Sequence, residues 1–179
     1  MRATLAAAAA ASVPPIWVDE LLIQSYLFSG FPRALNATRE WRKLSPEAAP
    51  GENAADAARG AEWQVRGEAT CAAVYGPMYE KLRHNVLELH PALDAIMVTD
   101  GYGKVLGRPG LDLPRRELCI VAACAATGQE RQLHSHLHGA LNVGVSVDAL
   151  LAALEALSPT LGAARTRSAR LLLARVIGK

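Results

Sequence analysis

From Arg115 to Ser146 the chain reads RRELCIVAACAATGQERQLHSHLHGALNVGVS, and this stretch decides the fold. Arg115 to Thr127 is apolar nearly all round, as a central buried helix would be. The run CIVAACAA is too long and alanine-rich for a convincing strand. Gly128 ends it, and residues 130 to 143 form a second helix with Gly144 as its C-cap. At about 100° per residue, Leu133, Leu137, Ala140 and Leu141 make one apolar face. His136 flanks that face on one side and His134 on the other, while His138 lies toward the polar side.

Glu117 shares a stripe with Val121 and Cys124 on the first helix, so its carboxylate is partly desolvated there. If the two helices fold back antiparallel, Glu117 approaches the later part of the second helix. A Glu–His pair in an apolar pocket is a usable proton relay. Structural roles compete with this reading, and spacing alone favours them. Glu117 can cap its first turn, Arg115 or Arg116 can neutralise it, and His136 can be a core-edge histidine with one hydrogen bond. His134 and His138 stand at i, i+4, with Glu130 one turn earlier. Without an HExxH motif or a distant ligand, a solvated helix face is expected there and no metal.

Outward from this hairpin the pattern stays helical. Residues 3 to 12 read as a helix stopped by Pro14 and Pro15. Residues 17 to 29 follow, with Leu21, Leu22, Ser25, Phe28 and Ser29 at helical spacing and Gly30 as C-cap. Pro32 opens a third helix to about Leu44. Further helices are expected at 61 to 73, from Pro77 to Leu89, and from Pro91 to Asp100. The glycine-rich GYGKVLGRPGLDLP (101–114) should turn. Ser146 or its neighbour caps a helix from Val147, Ser158-Pro159 stops it, and a basic helix closes the chain at about 162 to 177. The fold class is therefore all-α, a compact bundle of about seven to nine helices of ordinary length. SPEAAPGENAADAARG (45–60) has no large apolar side chain and reads as a linker. It divides a unit at 1–44 from one at 61–179, the two expected to share one core. A faint echo, Val18-Asp19-x-Leu21-Leu22 against Val147-Asp148-x-Leu150-Leu151, hints at related helical units.

The bulk composition narrows the function. Hydrophobic residues make up 51%, charged ones 20% and aromatics 5%, ample for a core rich in alanine and leucine. The net charge of +2 comes from interspersed acids and bases, which excludes the basic face of a nucleic-acid binder. Cys71, Cys119 and Cys124 are odd in number and form no CxxC, so free thiols in a reducing cytoplasm are expected. The alanine run near the start has only Leu5 as a large apolar residue, too weak for a secretory segment. No stretch is long and apolar enough for a membrane span.

Three blocks, RPGLD (Arg108 to Asp112), RELCIVA (Arg116 to Ala122) and QLHSHLHGALNVGVS (Gln132 to Ser146), resemble the carboxymuconolactone decarboxylase family. Residues 66 to 107 are similar to its N-terminal region, more weakly. The family's LLQxxxYxGxP helix follows its histidine helix, whereas the similar LLIQSYLFSGFPRALNA (21–37) here comes first. The sequence thus looks permuted, or like two fused half-repeats. The resemblance implies an alkylhydroperoxidase D-like helical fold, assembly as trimers or hexamers, and a cofactor-free site for a small-molecule substrate. It implies a pocket in which His136 meets Tyr26, Phe28 and Phe31. His136 and Glu117 would be catalytic, with His134, Arg131 and Gln132 on the substrate. The implied chemistry is decarboxylation, or a related lyase reaction, of a small carboxylated lactone. A non-catalytic small-acid-binding or assembly role is the alternative. In the related peroxidase branch Glu, CxxC and His form a relay, and the cysteine positions are Gln129 and Gln132 here. Thiol peroxidase chemistry is disfavoured accordingly. The decarboxylase branch carries a carboxylate where Gln132 stands, and an amide cannot ionise.

Overall fold

Prolines, small polar side chains and glycines set the helix ends, and the apolar stripes decide what packs. The computed structural model describes residues 1–47 and 56–178, and among them every regular element is helical. Helices α1 (Arg2–Ala10), α2 (Pro15–Ser29) and α3 (Phe31–Arg42) come first. Most of the expected linker, residues 48–55, lies outside the described residues. A short turn at Ala57–Arg59 leads into α4 (Gly60–Tyr75), and another at Gly76–Met78 into α5 (Tyr79–Leu89). After α6 (Pro91–Ala95) the chain continues as a wide π-helix, Ile96–Leu106. The hairpin of α7 (Leu113–Thr127) and α8 (Glu130–Asn142) is followed by α9 (Val147–Ala156) and α10 (Ser158–Ile177).

Local chemistry explains the boundaries. Asp112 accepts a hydrogen bond from the Arg115 N–H at 2.9 Å, and Ser146 Oγ from that of Ala149 at 3.1 Å, so each caps its helix. Gly128 ends α7 in the left-handed conformation at φ 73°. Ser158-Pro159 opens the last helix rather than only closing its predecessor, because proline tolerates the first turn; Gly162 then kinks it.

Two sequence expectations are corrected. First, the glycines between 101 and 107 do not make a turn: Gly101 and Gly103 lie within the π-helix. Gly103 and Gly67 face each other where the π-helix crosses α4. A Cβ on Gly67 would lie 2.0 Å from the Val98 carbonyl oxygen, and one on Gly103 2.1 Å from that of Trp63. The missing side chains let the two backbones touch, and Arg66 Nε donates to the Gly103 carbonyl at 2.7 Å across the crossing. Second, α2 does not bury the stripe that its leucines suggest. It buries Val18, Asp19, Glu20, Leu22 and Gln24, while Leu21 is exposed. In the echoing motif of α9 the opposite leucine is exposed, Leu151 rather than Leu150, so the two copies are not buried alike.

The main core has α7 at its centre. Ile120, Val121 and Cys124 pack with Leu137 and Ala140 of α8, Leu150 and Leu154 of α9, Leu173 of α10, and Cys71 and Val74 of α4. A small second cluster joins Leu5, Val18, Leu22 and Trp41 within α1–α3. What ties α2 to α7 is ionic. Glu20 is buried and accepts from Arg108 Nε at 3.0 Å and from Arg116 at 2.8 Å. Arg116 also donates to Gln24 Oε1 and to the carbonyls of Leu111 and Arg108, each at 3.1 Å, and Gln24 returns a bond to the Arg116 carbonyl.

Candidate functional site

The α7–α8 hairpin turns at Gly128 and brings Glu117, one turn into α7, against the second half of α8. Glu117 Oε2 and His136 Nδ1 are 2.8 Å apart, with the carboxylate fully buried and the imidazole 5% exposed. Neither arginine preceding Glu117 reaches it. Arg116 is committed to Glu20, while Arg115 pairs with Asp112 and stacks on Trp17 at 4.1 Å. Glu117 Oε1 has no hydrogen-bond partner among the described residues. A buried carboxylate oxygen left in this state costs about 1–3 kcal/mol, so the rest of the fold must hold it there.

The close approach depends on a residue without a side chain. A Cβ at Gly139 would lie 2.9 Å from Glu117 Oε2 and 2.6 Å from Val74 Cγ1. Gly139 therefore opens the space on α8 that the carboxylate occupies, one turn beyond His136.

Around the pair lies a shell of weak acids that all stay protonated. Burial pushes the thiols of Cys71 and Cys124 up to about 12, and the negative charge of Glu117 adds to the effect. Burial likewise pushes Tyr75 up to about 12, with Cys71 and Glu117 adding to it and the facing Tyr102 hydroxyl offsetting part. Tyr102 is raised well above its ordinary value too, first by burial and then by Tyr75 and Glu117. Near neutral pH these thiols and phenols are neutral donors. Phe28 of α2 and Tyr75 of α4 present edges to the His136 ring, each with centroids 6.2 Å away.

The remaining residues singled out from the sequence are spread more widely. Phe28 meets His136, whereas Tyr26 is half-buried, with its hydroxyl raised by burial and by Asp100. Phe31, at the start of α3, is 66% exposed. Arg131 and Gln132 are exposed on the first turns of α8. His134 points to a different side of α8 from His136. It stacks edge-on with His138 at 4.9 Å and lines a groove of about 620 Å³ with Tyr75. No group of three His, Cys, Asp or Glu side chains with metal-binding geometry exists among the described residues.

Sequence reasoning missed Tyr75, Tyr102, Cys71 and Gly139 as members of this site. Only Gly139 carried a signal, a glycine inside a helix one turn from a histidine, where close approach is the usual reason.

The sequence model of the carboxymuconolactone decarboxylase family matches residues 78–175, more than half of the chain. The chain belongs to that family. Both members of the buried pair, Glu117 and His136, fall inside the matched span. Phe28, Cys71 and Tyr75 fall outside it, although they close around the pair. The chain is also 30% identical over 135 residues to Peroxisomal protein 2 of Schizosaccharomyces pombe, an alignment covering 75% of this chain and 63% of that relative. It thus spans less than two thirds of that relative's length. No helix among the described residues is long and apolar enough to cross a membrane.

Proposed function

We propose that this family member performs cofactor-free proton-transfer chemistry on a small carboxylated lactone, of the carboxy-lyase type. One observation carries the reading: a carboxylate and an imidazole paired at 2.8 Å in a buried setting, with no arginine or lysine neutralising the carboxylate. With Glu117 accepting from Nδ1–H, the ring is oriented and Nε2 is the nitrogen left for substrate. In the reaction the bond between ring carbon and carboxylate breaks and CO2 leaves. The electron pair moves into the lactone as a dienolate, His136 protonates the carbon, and water restores the proton. Arg131 and Gln132 are assigned to the substrate's anionic groups. Phe28 is assigned to its ring, and Tyr26 and Phe31 to the outer rim. His136→Ala should abolish release of CO2 from 4-carboxymuconolactone or a related carboxylated lactone, followed by loss of lactone absorbance. Unchanged turnover in that variant overturns the role.

A second reading rests on two other observations. The His136 ring is nearly covered by Phe28 and Tyr75, and Gln132 presents an exposed amide where a carboxylate would ionise. Both favour a non-catalytic member that binds a small acid or serves assembly. Saturable ligand binding without product, across lactones and β-keto acids, supports that reading, and product formation removes it. A peroxidase-type thiol cycle is the weakest reading, because Cys71, Cys119 and Cys124 are all held protonated by burial. Three free thiols suit a reducing cytoplasm, and the name of the yeast relative makes a peroxisomal matrix the other candidate compartment. Assembly into trimers or hexamers belongs to the same proposal.

A further inference from the structure

The groove beside His134 has features that the Glu117–His136 pair does not explain. It runs between the end of α4, the start of α5 and the exposed side of α8, with a volume of about 620 Å³, in the range of small-molecule sites. Met78 and Leu82 give it an apolar wall, and Asn85 of α5 and His134 of α8 supply polar groups. Its charge is one-sided. Lys81 lines it, and no Asp or Glu does. Lys81 makes no ion pair with any described residue, unlike Arg83 two residues on, which Asp94 holds at 2.6 Å.

Tyr75 is the link to the buried pair. It lines the groove and also packs edge-on against the His136 ring, so one side chain lies between the groove and the buried pair. Anything seated in the groove rests against the residue that covers the imidazole.

We infer that this groove is a recognition site for a small amphipathic monocarboxylate, with Lys81 and His134 on the carboxylate and Met78, Leu82 and Tyr75 on the apolar body. An unpaired ammonium facing a lining without carboxylates favours an anion, and the apolar wall rewards a hydrocarbon or aromatic body over an inorganic ion. The inference rests on the small-acid reading for why such a molecule would be present. It does not require that the site turn anything over.

Equilibrium binding of benzoate and hexanoate to the full chain tests it, with benzyl alcohol and hexanol as neutral controls and inorganic phosphate as the anion without a body. Amide chemical shifts report affinity and position together. The expected result is saturable binding of the two carboxylates with shifts confined to residues 74–85 and 134–142, and binding of the alcohols and phosphate weaker by roughly three- to tenfold or more. Lys81→Gln, a surface change that leaves the fold intact, should weaken carboxylate binding by a similar factor. Ser135→Glu, which adds a negative charge to the lining, should weaken it too. Equal binding of acid and alcohol, shifts elsewhere on the molecule, or full affinity in Lys81→Gln each overturns the inference. His136→Ala provides the separation: loss of turnover with benzoate binding retained tests the catalytic reading alone, and loss of groove binding with turnover retained tests this one alone.

Discussion

Single side chains in this protein are held in protonation states that burial dictates. Cys71 and Cys124 are raised from 9.0 to about 12 and Cys119 to about 11, with burial the leading cause for each. Below pH 9 folded and unfolded chains both keep these protons, so the thiols add no pH dependence. Between about 9 and 12 the unfolded chain releases them while the folded chain holds them. The stability present below the unfolded value is lost as pH rises through the folded one. Tyr75, raised from 10.0 to about 12, acts in the same direction. The urea midpoint should therefore be level in this contribution up to pH 9 and fall above it. Cys71 and Cys124 together should account for about 2–5 kcal/mol of loss by pH 11. Replacing both by alanine should make the fall shallower. An equally steep fall in that double variant would show that the buried thiols are not its source.

At the scale of elements, the contact between α2 and α7 is where an ionic cluster replaces apolar packing. Removing one partner of a buried ion pair leaves the others uncompensated, which costs about 3–5 kcal/mol. Glu20 serves two arginines, so Glu20→Ala should lie toward the upper end of that range in urea denaturation. Glu62→Ala, which breaks an exposed pair with Arg59, should leave the midpoint nearly unchanged. Similar losses in the two variants would remove the special standing of the cluster. We propose on this basis that the units 1–44 and 61–179 share one core, joined through this contact and through Tyr26, Leu27 and Phe28. The same contact shows where sequence reading stops. The helix end at Gly128, the cap at or beside Ser146 and the hairpin of α7 and α8 were legible, because each depends on chemistry within a few neighbouring residues, whereas the Asp112 cap was hidden inside a segment read only as a turn. The burial of Glu20, Gln24 and Arg116 was not, since hydrophobic periodicity has no signal for charges that bury one another across 96 positions. The π-helix was hidden for a related reason. Glycine permits a turn and equally permits two backbones to touch, and only the crossing with Gly67 decides between them. The pairing of Glu117 with His136 stood in between, since the stripe placed each residue but not the packing that joins them.

Across the whole molecule, the order of the elements bears on how the site is completed. The residues matched by the family model supply Glu117 and His136, while α2 and α4, outside that span, supply Phe28, Cys71 and Tyr75. Helices that pack as neighbours can be joined in a different chain order without changing what meets in the core, which is what an LLIQSYLFSGFP segment preceding the histidine helix requires. The outer surface carries a separate demand. Between Leu87 and Ile96, at the junction of α5, α6 and the π-helix, four large apolar side chains face solvent: Leu87, Leu89 at 77%, Leu93 and Ile96. Isolated exposed leucines are ordinary, but several grouped at one junction mark a surface that a second copy can cover. A closed ring would bury them symmetrically, in keeping with the proposed trimer or hexamer. Light scattering at micromolar concentration should therefore give three or six times the 19.0 kDa of one chain. Leu89→Glu combined with Leu93→Glu should reduce that mass toward a single chain while the helical circular dichroism persists, because neither side chain belongs to the core. A wild-type mass of one chain at these concentrations would leave that apolar junction without an occupant and would separate the buried pair's chemistry from any assembly.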